Sequence, residues 1–394
     1  MPYPKIVLKN NCDRRILAGH LWTFSNEIEQ VDAGIKPGEL ADLYSKKNLF
    51  LGRGFYNPHS LIAVRLLTFE DQAIDTQFFL NRIKKAESFR DSLFFGDHAY
   101  RLIFGESDFL PGLVVDRFDK TFVIQSNCLG MDLLFEKIIA ALKEIFEIEC
   151  LIKKNDSSLR SLENLSTNVE VVQGEIPLDF RIFQTFKDQK LNFLVDPLAG
   201  QKTGFFFDQR ENRERLGEVV KGKSVLDCFS YTGAFGIYAA KAKAKEVVAV
   251  ESSPSACELL QRNVVLNETQ IRIIQKDVFE ALEEFKKENI KFDIIVLDPP
   301  AFAKSKKNMF GALRKYRKLN QAALSLLNEE GILFSSSCSH HISKNQFLEM
   351  LNAAASYSKR QIQLLEMRGQ ARDHPVLLSM PETDYLKCAI LRNN

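Results

Sequence analysis

No two of the seven cysteines are spaced CxxC, and their number is odd. Cys12, Cys128, Cys150, Cys228, Cys257, Cys338 and Cys388 lie scattered along 394 residues. This argues against a disulfide framework and a zinc knuckle, and it suits a reducing compartment. No apolar run approaches the ~18–20 residues that span a bilayer. The opening MPYPKIVLKNN lacks the apolar stretch of a secretory signal. A cytoplasmic protein with no membrane partner is therefore expected. Neither charge sign is in excess: 53 Lys and Arg face 51 Asp and Glu, a net charge of +2. Any attraction to nucleic acid must therefore be local. Tryptophan occurs once, as Trp22, whereas phenylalanine occurs 31 times and predicts Phe-rich cores. With 45% hydrophobic and 26% charged residues, the composition is that of a folded globular chain. The length suits two or three domains.

Three regions follow from the patterning. Residues 1–72 hold short apolar runs broken by turn signals: KIVLKNN, GELADLYS, FLGRGFYN and SLIAVRLLT read as strands. Arg14, Arg15 and Gly19–Trp22 fall in a helical or loop stretch between them. Residues 73–190 mix helical periodicity (73–100 and DLLFEKIIAALKEIF) with further strands, a small central α+β domain. Residues 191–394 alternate instead. KSVLDCFS, KEVVAVES, IRIIQKDV, FDIIVLDPP and GILFSSSCS read as five strands separated by helices. That pattern predicts an α/β domain with a mostly parallel sheet, which binds ligands beyond the carboxyl ends of its strands.

The residues at those ends carry the chemistry. The first strand runs into Asp227-Cys-Phe-Ser-Tyr231-Thr232-Gly233-Ala-Phe-Gly236. A dinucleotide fold would place GxGxxG here, but an acid opens the turn and only GxxG follows. A carboxylate repels a pyrophosphate and attracts the cationic amino end of S-adenosylmethionine (SAM). Glu251, with Ser252, ends the second strand and suits ribose hydroxyls. Asp277 and Val278 follow the third, where an acid can accept from an adenine amino group. Asp298-Pro299-Pro300 closes the fourth with a stiff loop. The next segment, AFAKSKKNMFGALRKYRKLN, holds Lys304, Lys306, Lys307, Arg314 and Lys315 and no acid, with Phe302, Phe310 and Tyr316 interleaved. That combination suits phosphate contacts and base stacking. Cys338, after the fifth strand, is flanked by serines and can attack an electron-poor carbon once its thiol is ionised. No second ligand cluster accompanies Cys338, His340 and His341, so no metal is expected.

These motifs, with Gly112-Leu-Val-Val-Asp116-Arg-Phe118, TGFFFDQREN at 203–212 and the Arg14-Arg15 and Gly19–Trp22 region, resemble the PUA-domain class I methyltransferases of large-subunit ribosomal RNA, cytosine-C5 type. The resemblance spans nearly the whole chain. It implies a Rossmann-like class I methyltransferase domain, preceded by a β-rich PUA-like RNA-binding domain at 1–72, with 73–190 between them. SAM is then the methyl donor and ribosomal RNA the partner, with Arg14 and Arg15 on the RNA side. Homodimers occur in such families. By motif match, Asp227, Tyr231, Thr232 and Gly233 line the methionine part of SAM, Glu251 holds the ribose, Asp277 and Val278 meet the adenine, and Gln209 and Arg210 close the pocket. Cys338 matches the cysteine that attacks base C6, and Asp298 the group that steadies the adduct. The two-cysteine RNA cytosine methyltransferases carry a second cysteine beside the proline of the DPP-type motif. Pro300-Ala301 stands there in this chain.

Three other readings remain open at this level. The same fold can methylate another position, such as guanine N7. A non-catalytic RNA-binding or assembly factor has no need of the acids at 227, 251 and 277. A nicotinamide enzyme lacks its glycine fingerprint.

Overall fold

The computed structural model describes residues 3–303 and 306–394. Two compact units emerge. The first comprises Met1–Phe180, Asp196–Phe207 and Arg372–Thr383; the second comprises Arg181–Val195, Asp208–Ala371 and Asp384–Asn394.

The first unit opens with a six-stranded sheet. Its order is Trp22–Phe24, Ile62–Thr68, Phe50–Tyr56, Leu40–Tyr44, Lys5–Leu8 and Ile28–Val31. The four expected strands are present. Two short ones, Trp22–Phe24 and Ile28–Val31, lack a long enough alternating run to stand out. Arg14–Leu17 forms one helical turn. The core of this sheet includes Ile6, Leu43, Val64 and Leu66, all fully buried. A five-stranded sheet follows, with helices Thr76–Leu93 and Phe135–Ile145 sharing its apolar core. Asp75 caps the first helix by accepting the Phe78 N–H at 2.9 Å.

Buried charge ties distant parts of this unit together. Arg101 forms a two-pronged ion pair with Asp116 at 2.5 and 2.9 Å, and the Thr203 hydroxyl bonds the same carboxylate. Thus Asp116 and Thr203, in two separate motifs of the sequence, meet at one buried carboxylate. Phe118 and Phe207 pack with ring centroids 5.2 Å apart.

The second unit is built on a seven-stranded sheet. In chain order its strands are β1 (Ser224–Cys228), β2 (Glu246–Glu251), β3 (Arg272–Gln275), β4 (Phe292–Leu297), β5 (Leu327–Ser337), β6 (Ile362–Arg368) and β7 (Lys387–Asn393). The spatial order is 3-2-1-4-5-7-6. Strands β1 to β5 form the parallel part of the sheet, whereas β7 runs antiparallel to both β5 and β6. The alternation of strands and helices predicts five strands, and the last two escape it. They follow each other with no α-helix between them, only the short 3-10 turn Pro381–Thr383, and β6 presents Gln363, Leu364 and Leu365 to solvent, so no clean period marks it.

The helices are α1 (Arg210–Val219), α2 (Ala234–Lys241), α3 (Pro254–Leu266), α4 (Val278–Lys287), α5 (Met309–Leu326) and α6 (Lys344–Tyr357). One core lies among α4, α5, α6 and the sheet, with Leu226, Ile295, Leu297, Leu319 and Phe347 buried. Another involves α1 and α2, with Leu216, Val225, Ala239 and Val296. A hairpin, Arg181–Phe186 with Gln189–Leu194, packs on this unit's helices. The Asn263 side chain accepts the Leu194 N–H at 2.7 Å, and a Cβ on Gly217 would meet the Phe186 ring at 2.4 Å. Strand order reverses between β1 and β4, so the carboxyl ends of β1, β2, β4 and β5 define one edge where a ligand fits.

Among the described residues, no helix is long and apolar enough to cross a membrane, and no cluster of three or more metal-ligating side chains occurs.

Candidate active site

The turn after β1 is unusual in its backbone. Phe229, Tyr231 and Gly233 all have positive φ, at 62°, 49° and 85°. Such alternation coils the chain tightly, with the Ser230 N–H bonded to the Val250 carbonyl at 3.2 Å and the Gly233 N–H to the Ser230 carbonyl at 2.8 Å. Gly233 is required twice over: its φ is left-handed, and a Cβ would sit 2.7 Å from the Leu260 Cγ on α3.

Asp227 lies under this turn, 1% exposed. Its Oδ2 accepts the Gly236 N–H at 3.0 Å, while its Oδ1 is buried with no hydrogen-bond partner. Burial pushes its pKa up to about 7, and the charges of Asp298 and Glu251 add to that rise. A buried carboxylate with one empty oxygen and two acidic neighbours is a site short of a cation. The α-amino group of a methionine moiety meets that need, so the residues present fit SAM.

Glu251 shapes the same turn. Its Oε2 accepts the Tyr231 N–H at 2.9 Å, and its Oε1 accepts those of Ser252 and Ser253, both at 2.8 Å. Oε1 is thereby saturated, whereas Oε2, with its single partner, keeps a lone-pair direction for a ribose hydroxyl. Thr232 is buried, and its carbonyl accepts from the Asn263 side chain at 3.0 Å. Asp277 is exposed and caps α4, its Oδ1 accepting from Phe279 at 2.8 Å. Val278 is buried in the main core.

Asp298, just past β4, is half-buried and accepts from the Gln209 side-chain amide at 2.9 Å. The Gln209 carbonyl accepts from Asn212 at 2.7 Å, and Asn212 in turn accepts from Arg368 Nε at 3.0 Å. This relay from α1 to β6 reaches Asp298 through buried amides. Arg210 is buried, with Glu214 of its own helix 3.6 Å away. Pro299 is buried beside Asp298.

Cys338 is half-exposed immediately beyond β5. The pairing Leu297↔Ser335 brings the ends of β4 and β5 side by side, with Asp298 one residue and Cys338 three residues beyond that last pair. Cys128, Cys150, Cys228, Cys257 and Cys388 are buried. Ser339 is held on several sides. Its hydroxyl lies 3.1 Å from the Tyr316 hydroxyl and accepts the Ala303 N–H at 3.3 Å, and its carbonyl accepts from Lys387 at 2.8 Å.

The basic segment is only partly displayed. Lys304 lies outside the described residues. Lys306 is in the helical turn that precedes α5, and Lys307, Arg314 and Lys315 are exposed. Lys315 stands 4.3 Å from the Phe302 ring centre, and Phe310 is exposed. Tyr316 is fully buried, so that aromatic packs in the core rather than on a stacking surface. In the first unit Arg14 is exposed, whereas the Arg15 guanidinium is engaged by Glu27 at 2.9 Å.

Sequence reasoning missed Asn212, Arg368 and Lys387. Asn212 stands three residues after Gln209, one helical turn, and Lys387 is the cation inside the apolar run YLKCAIL. Those are faint signals, and Arg368 has none.

Known proteins resemble this chain along nearly its whole length. The family described as "PUA-like domain" matches residues 6–69, and "Conserved hypothetical protein 95" matches 207–366. The ribosomal RNA large subunit methyltransferase I of Tolumonas auensis is 38% identical over 393 residues, covering 98% of both chains. The chain belongs to the ribosomal RNA large subunit methyltransferase I family. Its member from Shewanella frigidimarina is 38% identical, covering 98% of this chain and 99% of its own. Among solved structures, SMU.776 complexed with SAH is similar across the whole of both chains, with 20% identity and a TM-score of 0.84. The tRNA m1G37 methyltransferase of M. jannaschii covers 72% of this chain and 76% of its own, with a TM-score of 0.50 and 16% identity. At those identities the shared feature is the fold. The family's fold is thus a PUA-like sheet followed by a Rossmann-like methyltransferase sheet.

Proposed function

We propose that this protein methylates carbon 5 of a cytosine in large-subunit ribosomal RNA, with SAM as donor and Cys338 as nucleophile. Family membership supports the methyltransferase reaction on large-subunit RNA. The observation that carries the base position is the half-exposed Cys338 on the ligand-binding edge of the sheet, past the end of β5, with Asp298 following the end of the neighbouring β4.

In this reading Asp227 takes the amino group of SAM on its empty oxygen. The turn Tyr231–Gly233 surrounds the methionine part, Glu251 and Ser252 hold the ribose, and Asp277 receives the adenine amino group. Val278 packs beneath that position. Gln209 and Arg210 close the pocket against Asp298 and Pro299. When bound, SAM supplies an electrophilic methyl group. Cytosine C5 is too weak a nucleophile to take it unaided. The Cys338 thiolate forms a bond to C6, and the C5–C6 π electrons move to C5, which becomes enamine-like. Asp298 hydrogen-bonds the N3/N4 edge and spreads the developing charge. After C5 has gained its methyl, solvent water takes the C5 proton, the C–H electron pair re-forms the C5–C6 double bond, and Cys338 departs as thiolate. Arg14, Lys304, Lys306, Lys307, Arg314 and Lys315 supply phosphate contacts. Arg15 contributes less, because Glu27 holds it.

The test is a methyl-transfer assay with labelled SAM and ribosomal RNA lacking its own modification, followed by nucleoside mass spectrometry. Labelled 5-methylcytidine is expected. Cys338→Ala is expected to abolish transfer while still binding SAM. Labelled 7-methylguanosine, or full activity in that variant, overturns the assignment.

A further inference from the structure

Lys387 has no role in the reading above, and its placement is unusual. It opens β7, opposite Ser337, the last residue of β5 before Cys338. Its side chain is 5% exposed. The amine donates to the Ser339 carbonyl at 2.8 Å and to the Ile342 carbonyl at 3.0 Å. It therefore spans the loop that carries Cys338, His340 and His341.

A buried lysine is expensive unless something requires its charge or its donors. Backbone carbonyls alone do not require a cation, since a neutral amide serves them as well. A thiol that must ionise does.

We propose that Lys387 is the positioning residue of Cys338: it clamps the 338–342 loop from beneath, and its ammonium charge stabilises the Cys338 thiolate. The proposal rests on Cys338 being the nucleophile. Burial lowers the Lys387 pKa to about 8, and the Cys338 charge acts in the opposite direction, raising it. By linkage, the ammonium favours the thiolate to the same extent. Asp298, which follows the end of the neighbouring β4, opposes ionisation of Cys338, and His340 and His341 lie on its own loop; three further elements contribute titratable groups. Asp384, before β7, favours the ammonium; Lys344, at the start of α6, opposes it. Tyr316, on α5, is buried, and its own ionisation is disfavoured by burial and by the Cys338 charge. It therefore stays protonated and does not compete for the role.

The experiment is the pH dependence of iodoacetamide alkylation at Cys338 in the full chain, read by peptide mass spectrometry. Lys387→Met keeps the volume and the apolar stem and removes the charge. Its Cys338 should alkylate roughly tenfold more slowly at neutral pH, the equivalent of about one pKa unit. Lys387→Arg, which keeps a cation, should restore most of the rate. A folded Lys387→Met protein with the wild-type alkylation profile overturns the proposal and leaves Lys387 a purely structural strut. If Lys387→Met does not fold, Cys338→Ala gives the reciprocal measurement. The Lys387 ammonium, followed by carbon NMR of labelled lysine, should titrate at lower pH than in wild type. An unchanged titration overturns the proposal. Neither readout depends on which base is methylated, so its failure is distinguishable from failure of the cytosine-C5 reading.

Discussion

Asp227 shows how one side chain couples folding, pH and ligand. Its carboxyl ionises near pH 7 in the folded chain, against an ordinary value of 3.8. The folded state therefore holds a proton that the unfolded state has lost. Stability from this group is complete below about pH 4 and falls as pH rises to about 7. The shift amounts to about 3 pKa units, a ceiling of about 4 kcal/mol. Asp227→Asn should accordingly raise the melting temperature of the ligand-free protein at pH 8, and should give no such gain at pH 4. Calorimetry at the two pH values checks this. A cationic ligand reverses the balance, because the carboxylate is then paired. SAM affinity should weaken by up to tenfold per pH unit below about 7 in the wild type. In Asp227→Asn it should be weak and show a flatter pH dependence, which titration calorimetry measures.

At the scale of elements, the site depends on a relay of amides. Asn212 is 1% exposed and bridges Gln209 on one side and Arg368 on the other. Asn212→Ala leaves both without that partner. The expected cost is about 1–3 kcal/mol in urea denaturation, with reduced activity because Asp298 loses a fixed Gln209. Restored stability without restored activity in a packing variant such as Asn212→Leu would separate the two effects. The individual strands β1 to β5 were legible because each is an apolar run ending in a polar or acidic residue at the ligand edge. Asp227, Glu251, Asp298 and Cys338 were legible for the same reason. The antiparallel pair β6 and β7 was not, since two consecutive strands break the alternation. The relay was equally hidden. Its direct contacts span as much as 156 residues, as between Asn212 and Arg368, and no local pattern announces a contact of that span.

At the scale of the whole chain, the return of Asp196–Phe207 and Arg372–Thr383 to the first unit had no signature in the sequence. Each is a short irregular segment whose place is decided by buried polar contacts. The Asp373 carboxylate accepts the Arg101 N–H at 2.9 Å, and Thr203 meets Asp116. Charge is equally poorly described by its total. A net +2 predicts little affinity for RNA, yet the 304–318 segment concentrates cations with no acid among them. Lys307 and Arg314 are exposed there, whereas Arg15 is already neutralised by Glu27. If RNA phosphates dock on this segment, each contact releases condensed counterions, and affinity must fall as salt rises. Lys307→Glu with Arg314→Glu should weaken binding across RNA sequences and reduce the slope of log K against log salt by about 0.7 to 0.9 per lost contact. Arg15→Ala should change that slope far less. Filter binding of ribosomal RNA fragments across a salt series measures all three proteins. An unchanged slope in the double variant removes this segment from the interface, and a slope that falls as much in Arg15→Ala moves the interface to the PUA-like sheet.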